Sequence, residues 1–141
     1  MCTLKIGVVG YSGQKFSKFD ANRLLAEAFD AVLADHPDAT DVWIVSGLTD
    51  LGIPALAYRA ASVRGWKTSG IACSKAEKYD CFDVDERKII GDNWGDESET
   101  FLKEVNVIVR IGGGKQSLAE VKTFSENGGH TYEYDLVAIP S

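Results

Sequence analysis

Val105-Asn106-Val107-Ile108-Val109-Arg110-Ile111-Gly112-Gly113-Gly114-Lys115-Gln116-Ser117-Leu118-Ala119-Glu120 is the stretch from which the rest of the chain can be read. Its first half, Val105 to Ile111, is the most strand-like run in the protein, β-branched and apolar. Three glycines follow, and a helix is expected from about Gln116 to Ser125, stopped by Asn127, Gly128 and Gly129. A buried strand that turns through glycines into a helix is half of a βαβ unit. The glycines let the backbone turn sharply and approach a ligand closely. The first N–H groups of the helix have no intrahelical partners and carry partial positive charge, so they favour an anion.

The same alternation extends outward in both directions. Leu4 to Val9 reads as a buried first strand, ended by Gly10. Beyond a Tyr11 to Gln14 loop, Asp20 is the expected N-cap of a helix from Ala21 to Ala34. That helix presents Leu24, Leu25, Ala28, Val32 and Leu33 on one face. Val42 to Val45 is a second strand closed by Ser46 and Gly47, and Pro54 to Val63 is an Ala-rich helix with Gly65 as C-cap. Lys67 to Cys73 is a third strand, and Val84 to Ile90 suits an extra one. Glu97 to Glu104 is a short helix and Tyr132 to Ile139 a last strand. The order implies an α/β, Rossmann-like single domain spanning 1–141, its mainly parallel sheet flanked by helices on both faces. Ligands of such sheets bind beyond the carboxyl ends of the strands.

Composition narrows the function. The 141 residues suit one domain, and 45 % hydrophobic with 26 % charged residues is an ordinary globular balance. A net charge of −6 without a Lys/Arg cluster argues against a nucleic-acid partner. No apolar run is long enough to span a bilayer, so no membrane association is expected, and the expected compartment is the cytoplasm. Cys2, Cys73 and Cys81 form no CxxC pair, and with only His36 and His130 beside them no metal site is expected. Cys73 reads as a core residue, and Trp43 and Trp66 as packing residues.

The candidate site follows the strands. Gly112, Gly113, Gly114, Lys115, Gln116 and Ser117 form the expected phosphate cradle, Lys115 adding charge and Ser117 a hydroxyl. The pattern is neither a Walker loop nor the GxGxxG of dinucleotide sites. The first loop instead reads GxxGxxG over Gly7 to Gly13, and the second strand lacks an acidic residue for a ribose. Beside Gly10, the residues Tyr11, Ser12 and Gly13 are a second lip of the same pocket or an ordinary βα loop; Ser46 and Gly47 end the second strand, and there Gly47 and Gly52 serve ligand approach or packing alone. Trp94, between glycines in Gly91 to Ser98, either stacks on a flat ligand ring as a lid or folds back on the sheet beside a helix capped by Asp96 or Ser98.

Strand, Gly-Gly, Ser and a Glu one turn later resembles the SLOG superfamily, best known for the Lonely-guy phosphoribohydrolases. Their signature Pro-Gly-Gly-x-Gly-Thr-x-x-Glu falls on Gly112 to Glu120, with Gly112 for Pro, Gln116 for Gly and Ser117 for Thr. The resemblance implies cleavage of the N-glycosidic bond of a nucleoside monophosphate. It implies Glu120 as the catalytic carboxylate that stabilises cationic character on the ribose or activates water, and Arg87, within Glu86-Arg87-Lys88, as the group that holds phosphate or leaving base; the alternative for that segment is a solvated charge run. At the glycine-loop level the chain also resembles molybdenum cofactor carrier proteins, which implies non-catalytic binding, as a carrier, sensor or sequestering protein. The expected ligand is a nucleotide or other phosphorylated small molecule, and the resemblance implies a homo-oligomer. A third reading is an assembly subunit whose glycines serve packing alone.

Overall fold

The computed structural model describes residues 2–140. Six strands, all paired in parallel, form one sheet in the order β4-β3-β2-β1-β5-β6. They are β1 (Cys2–Gly10), β2 (Ala39–Ser46), β3 (Lys67–Ala72), β4 (Glu86–Ile89), β5 (Val107–Ile111) and β6 (His130–Tyr134). Four helices connect them: α1 (Lys18–Asp35), α2 (Gly52–Arg64), α3 (Ser98–Glu104) and α4 (Lys115–Glu126). The expected α/β architecture is the one observed. The polar stretch after β3 begins with a 3₁₀ turn, Ser74–Lys78.

Strand alternation sorts the interior into two layers. Ile6, Val8, Ile44, Val107, Val109 and Ile111 pack with α1 and α2 through Leu25, Phe29, Ile53 and Tyr58. Val9, Val45, Ile71 and Ile108 pack on the other face with Phe101 of α3 and Val121 of α4. The chain runs outward from β1 through β2 and β3 to β4, then returns to the other side of β1 as β5 and β6. The reversal between β1 and β5 leaves a crevice where their carboxyl ends diverge.

Several boundaries differ from expectation. Ser17, not Asp20, caps α1: its Oγ accepts the Asp20 amide at 3.2 Å, which puts Asp20 in the first helical turn. The last strand runs His130–Tyr134 rather than to Ile139; among the described residues beyond it, Ile139 makes an isolated bridge to Lys15. Neither Asp96 nor Ser98 caps α3. Asp96 Oδ2 accepts the Asp92 and Asn93 amides, and Ser98 Oγ donates to Glu120. Gly65 ends α2 at φ 74° as expected, Cys73 is fully buried, and Trp66 packs edge-on against Phe29.

Candidate functional site

A cleft of about 360 Å³ opens at the β1/β5 crevice and extends over the ends of β2 and β3. One wall is the loop after β1, with Gly10, Ser12 and Gly13. The floor is Ser46 and Gly47, and the opposite wall is the start of α4, with Gly114, Lys115, Gln116 and Ser117. Glu97 and Glu120 line the side toward α3, and Trp94 stands at the mouth. Eleven of the fourteen expected site residues line this cleft; Arg87, Gly112 and Gly113 do not.

The three glycines after β5 divide their work. Gly112 is buried at φ 60°, and a Cβ there would lie 2.4 Å from the Tyr11 ring. Gly113 has φ 107°, and its Cβ would lie 2.7 Å from Ser117 Cβ. Both are required by the turn and its packing, and neither lines the cleft, contrary to expectation. Gly114 alone faces the opening. It occupies the N-cap of α4 in extended backbone, φ −99°, with no side-chain cap. The first backbone bond of the helix runs from Leu118 N to Gly114 O, so the amides of Lys115, Gln116 and Ser117 precede the ladder. Ser117 Oγ points back to Gly10 O at 3.4 Å, tying the two loops together.

Arg110 braces the turn from below. It is 8 % exposed, and its Nη1 donates to Gly112 O at 2.9 Å while Nε and Nη2 bind Glu133 and Asp135 at 3.0 Å each. Tyr58, fully buried, braces the β2 end: its hydroxyl lies 2.6 Å from Gly47 O and 3.1 Å from Ser69 O. Burial pushes that phenol far above its usual range, so it stays neutral. Gly47 has open space at its Cβ position, whereas Gly52, at φ 59°, would place a Cβ 2.2 Å from Tyr11 O and serves packing only.

The carboxylates gather on the α3 side. Glu120 accepts Ser98 Oγ at 2.9 Å, and its carboxyl is pushed up to about 7, chiefly by burial and further by the neighbouring Glu97 charge. Glu97 is 8 % exposed; it accepts the Gly95 amide at 3.1 Å and lies 3.5 Å from Gln116 Nε2. The ion pairs among the described residues include neither Glu97, Glu120 nor Lys115.

Arg87 does not join Glu120. It stands exposed on edge strand β4, opposite Gly70 of β3. Its neighbour Lys88 pairs with Ile71 in register and with Glu104 of α3 by an ion pair, so Lys88 occupies the α3/α4 face. Alternation turns Arg87 to the other face, away from Glu120. The two-residue catalytic arrangement implied by the phosphoribohydrolase resemblance is not assembled.

Trp94 is 52 % exposed and does not fold back on the sheet; its ring lies 6.1 Å from Tyr79, itself 56 % exposed. Sequence reasoning missed Glu97 and Thr49, which also line the cleft. Glu97 was legible only as a helix-start acid.

Fold and cleft together define a Rossmann-like α/β domain with a ligand-sized opening at the strand-order reversal. Solved structures that share the fold include two molybdenum cofactor proteins. The molybdenum cofactor carrier protein of Chlamydomonas reinhardtii is 21 % identical, with a TM-score of 0.71 over 93 % of this chain and 76 % of that one. The molybdenum cofactor binding protein of the phototrophic bacterium Rippkaea orientalis is 20 % identical, with a TM-score of 0.73 over 94 % and 77 %. The resemblance read from the glycine loop is thereby borne out for the fold. No protein-family model and no curated protein sequence matches the chain.

Proposed function

We propose that this protein binds and holds a phosphorylated small molecule in the β1/β5 cleft, as a carrier or binding protein for a cofactor or nucleotide-type ligand. The observation that carries this reading is the uncapped start of α4, where Gly114 exposes the Lys115, Gln116 and Ser117 amides to the cleft. An anion there is favoured by the helix dipole, by about 0.3–1 kcal/mol at an exposed site and more where partly buried. Lys115, which has no carboxylate partner among the described ion pairs, adds charge, and Ser12 and Ser117 add hydroxyls from either side.

The two molybdenum cofactor proteins of the same fold favour holding over cleaving. So does the separation of Arg87 from Glu120, which deprives a glycosidic cleavage of the cation that the resemblance implied. A second reading, N-glycosidic hydrolysis, draws on Glu120 alone, whose carboxyl near 7 suits proton transfer.

A thermal-shift titration with ribose 5-phosphate, nucleoside monophosphates and molybdenum cofactor tests the proposal. Binding to the native state raises stability by about 2.7 kcal/mol at a hundredfold excess over Kd. A shift with a phosphorylated compound that Lys115→Ala and Ser117→Ala both weaken supports it; no shift with any of them rejects it. Release of free base from a bound nucleotide, lost in Glu120→Gln, would favour the hydrolytic reading.

A further inference from the structure

We propose that residues 135–139, after β6, form a strap that pins the Tyr11–Gln14 wall of the cleft at both ends, and that lifting this strap releases the bound ligand. The ligand half of this inference rests on the reading that the cleft holds a phosphorylated molecule; the restraint on the wall does not.

After β6 the chain crosses back past the end of β5 and meets the loop after β1. The Tyr11 hydroxyl donates to Leu136 O at 2.9 Å, and Ile139 N donates to Lys15 O at 2.8 Å in an antiparallel bridge. Between these two ties lie Ser12, Gly13 and Gln14, which line the cleft and are exposed. No backbone hydrogen bond among the described residues fixes these three. The inner end has a further anchor, Ile53 N to Tyr11 O at 2.8 Å, whereas Lys15, at the outer end, is tied to Ile139. The same segment reaches the opposite wall. Asp135 binds Arg110 Nη2 at 3.0 Å, and Arg110 Nη1 donates to Gly112 O in the turn that leads into α4. The Tyr11 ring stands against Gly112 as well. Residues 135–139 thus link both walls without lining the cleft themselves.

Such a strap opens far more readily than the sheet. Leu136 packs against the α1/α2 layer, but Val137 and Ile139 are exposed and bury little. Each neutral hydrogen bond that ties it shifts the open population by only about two- to tenfold, because water competes for both partners. β1 and β5 are held instead by two apolar layers. The segment therefore lifts locally while the strands stay paired. Once Tyr11 and Lys15 are free, Ser12, Gly13 and Gln14 lose their fixed position opposite the α4 start. A ligand spanning the two walls must then order the loop as it binds, which weakens affinity.

Two full-length variants test this. Tyr11→Phe removes the hydroxyl donor and keeps the ring; Ile139→Pro removes the amide donor and keeps an apolar side chain. Trypsin cleavage at the Lys15–Phe16 bond reads the opening, since its carbonyl is the one that Ile139 N binds. Where reclosing outpaces cleavage, the rate tracks the open population. It should rise about two- to tenfold in each variant. Cleavage after Lys78, in the 3₁₀ turn beyond β3, should not change. The Kd for ribose 5-phosphate, measured by calorimetry, should weaken in both variants, by up to the same factor.

Unchanged cleavage at Lys15–Phe16 in either variant would overturn the strap. So would equal acceleration after Lys78, or loss of a cooperative melt, since the segment would then belong to the fold as a whole. Faster cleavage with unchanged ribose 5-phosphate affinity would overturn its link to ligand release. If the parent protein binds neither ribose 5-phosphate nor any nucleoside monophosphate, the phosphate reading falls and the release half with it, while the Lys15–Phe16 rates still decide the restraint on the wall.

Discussion

Glu120 shows how one side chain can be expensive for the fold and useful to the site. Its carboxyl is raised from 4.5 to about 7 by burial and by Glu97, partly offset by the Ser98 and Gln116 hydrogen bonds. Because the native state holds the proton more tightly than the unfolded chain, stability falls as pH rises between about 4.5 and 7 and stays lower above that. The charged groups facing it are Glu97 ahead of α3 and Lys115 at the start of α4. Replacing Glu120 by Gln keeps the shape and removes the charge. The variant should match the parent near pH 4.5 and exceed it at pH 8 by on the order of 2–3 kcal/mol. Paired melting curves across that range check this; equal Tm values at pH 8 would contradict the raised carboxyl. Arg110 is the converse case, a buried cation that stabilises by bracing. Arg110→Met should cost about 1–3 kcal/mol by denaturant titration, since Gly112 O loses its donor, whereas Glu133 and Asp135 are exposed enough to rehydrate.

At the scale of elements, the β5–α4 connection separates two roles that three adjacent glycines conceal. Gly112→Ala forces a side chain into left-handed backbone and against the Tyr11 ring. It should cost about 3 kcal/mol, on the order of 10 °C in Tm. Gly114→Ala has extended backbone and nothing within 4 Å of the added Cβ. It should leave Tm within about 2 °C while narrowing the anion approach and weakening phosphate binding. Equal losses of stability in both would contradict the division. Sequence could show that a glycine turn joins a strand to a helix there, because strand periodicity, glycine and helix spacing are all local. It could not show which glycine meets Tyr11, since that contact joins residues about a hundred positions apart. Arg87 failed for a related reason: Glu86-Arg87-Lys88 is an edge strand with alternating faces, and only the register with β3 decides which face each residue takes. Those charges fit the edge itself, where they discourage pairing with another chain.

For the molecule as a whole, the sheet's unequal burial predicts how it opens. β1 lies between β2 and β5, and residues of all three strands enter both apolar layers. β4 is four residues long, lies at the edge and carries Glu86, Arg87 and Lys88 with little apolar burial. Local opening follows burial and contact, so β4 and the 3₁₀ turn before it should exchange amide hydrogens well before β1 and β5. The cleft walls lie between these extremes: the loop after β1 and the first turn of α4 are tied mainly by Ser117 to Gly10 O and by Ile53 N to Tyr11 O. A ligand bound across them should therefore slow exchange in residues 10–14 and 114–118 most, while leaving β4 nearly unchanged. Hydrogen exchange read by mass spectrometry, with and without saturating GMP or ribose 5-phosphate, measures both patterns. Protection spread evenly over the chain would mean that the ligand stabilises only against global unfolding. Protection confined to the edge at β4 would move the binding site away from the strand-order reversal altogether.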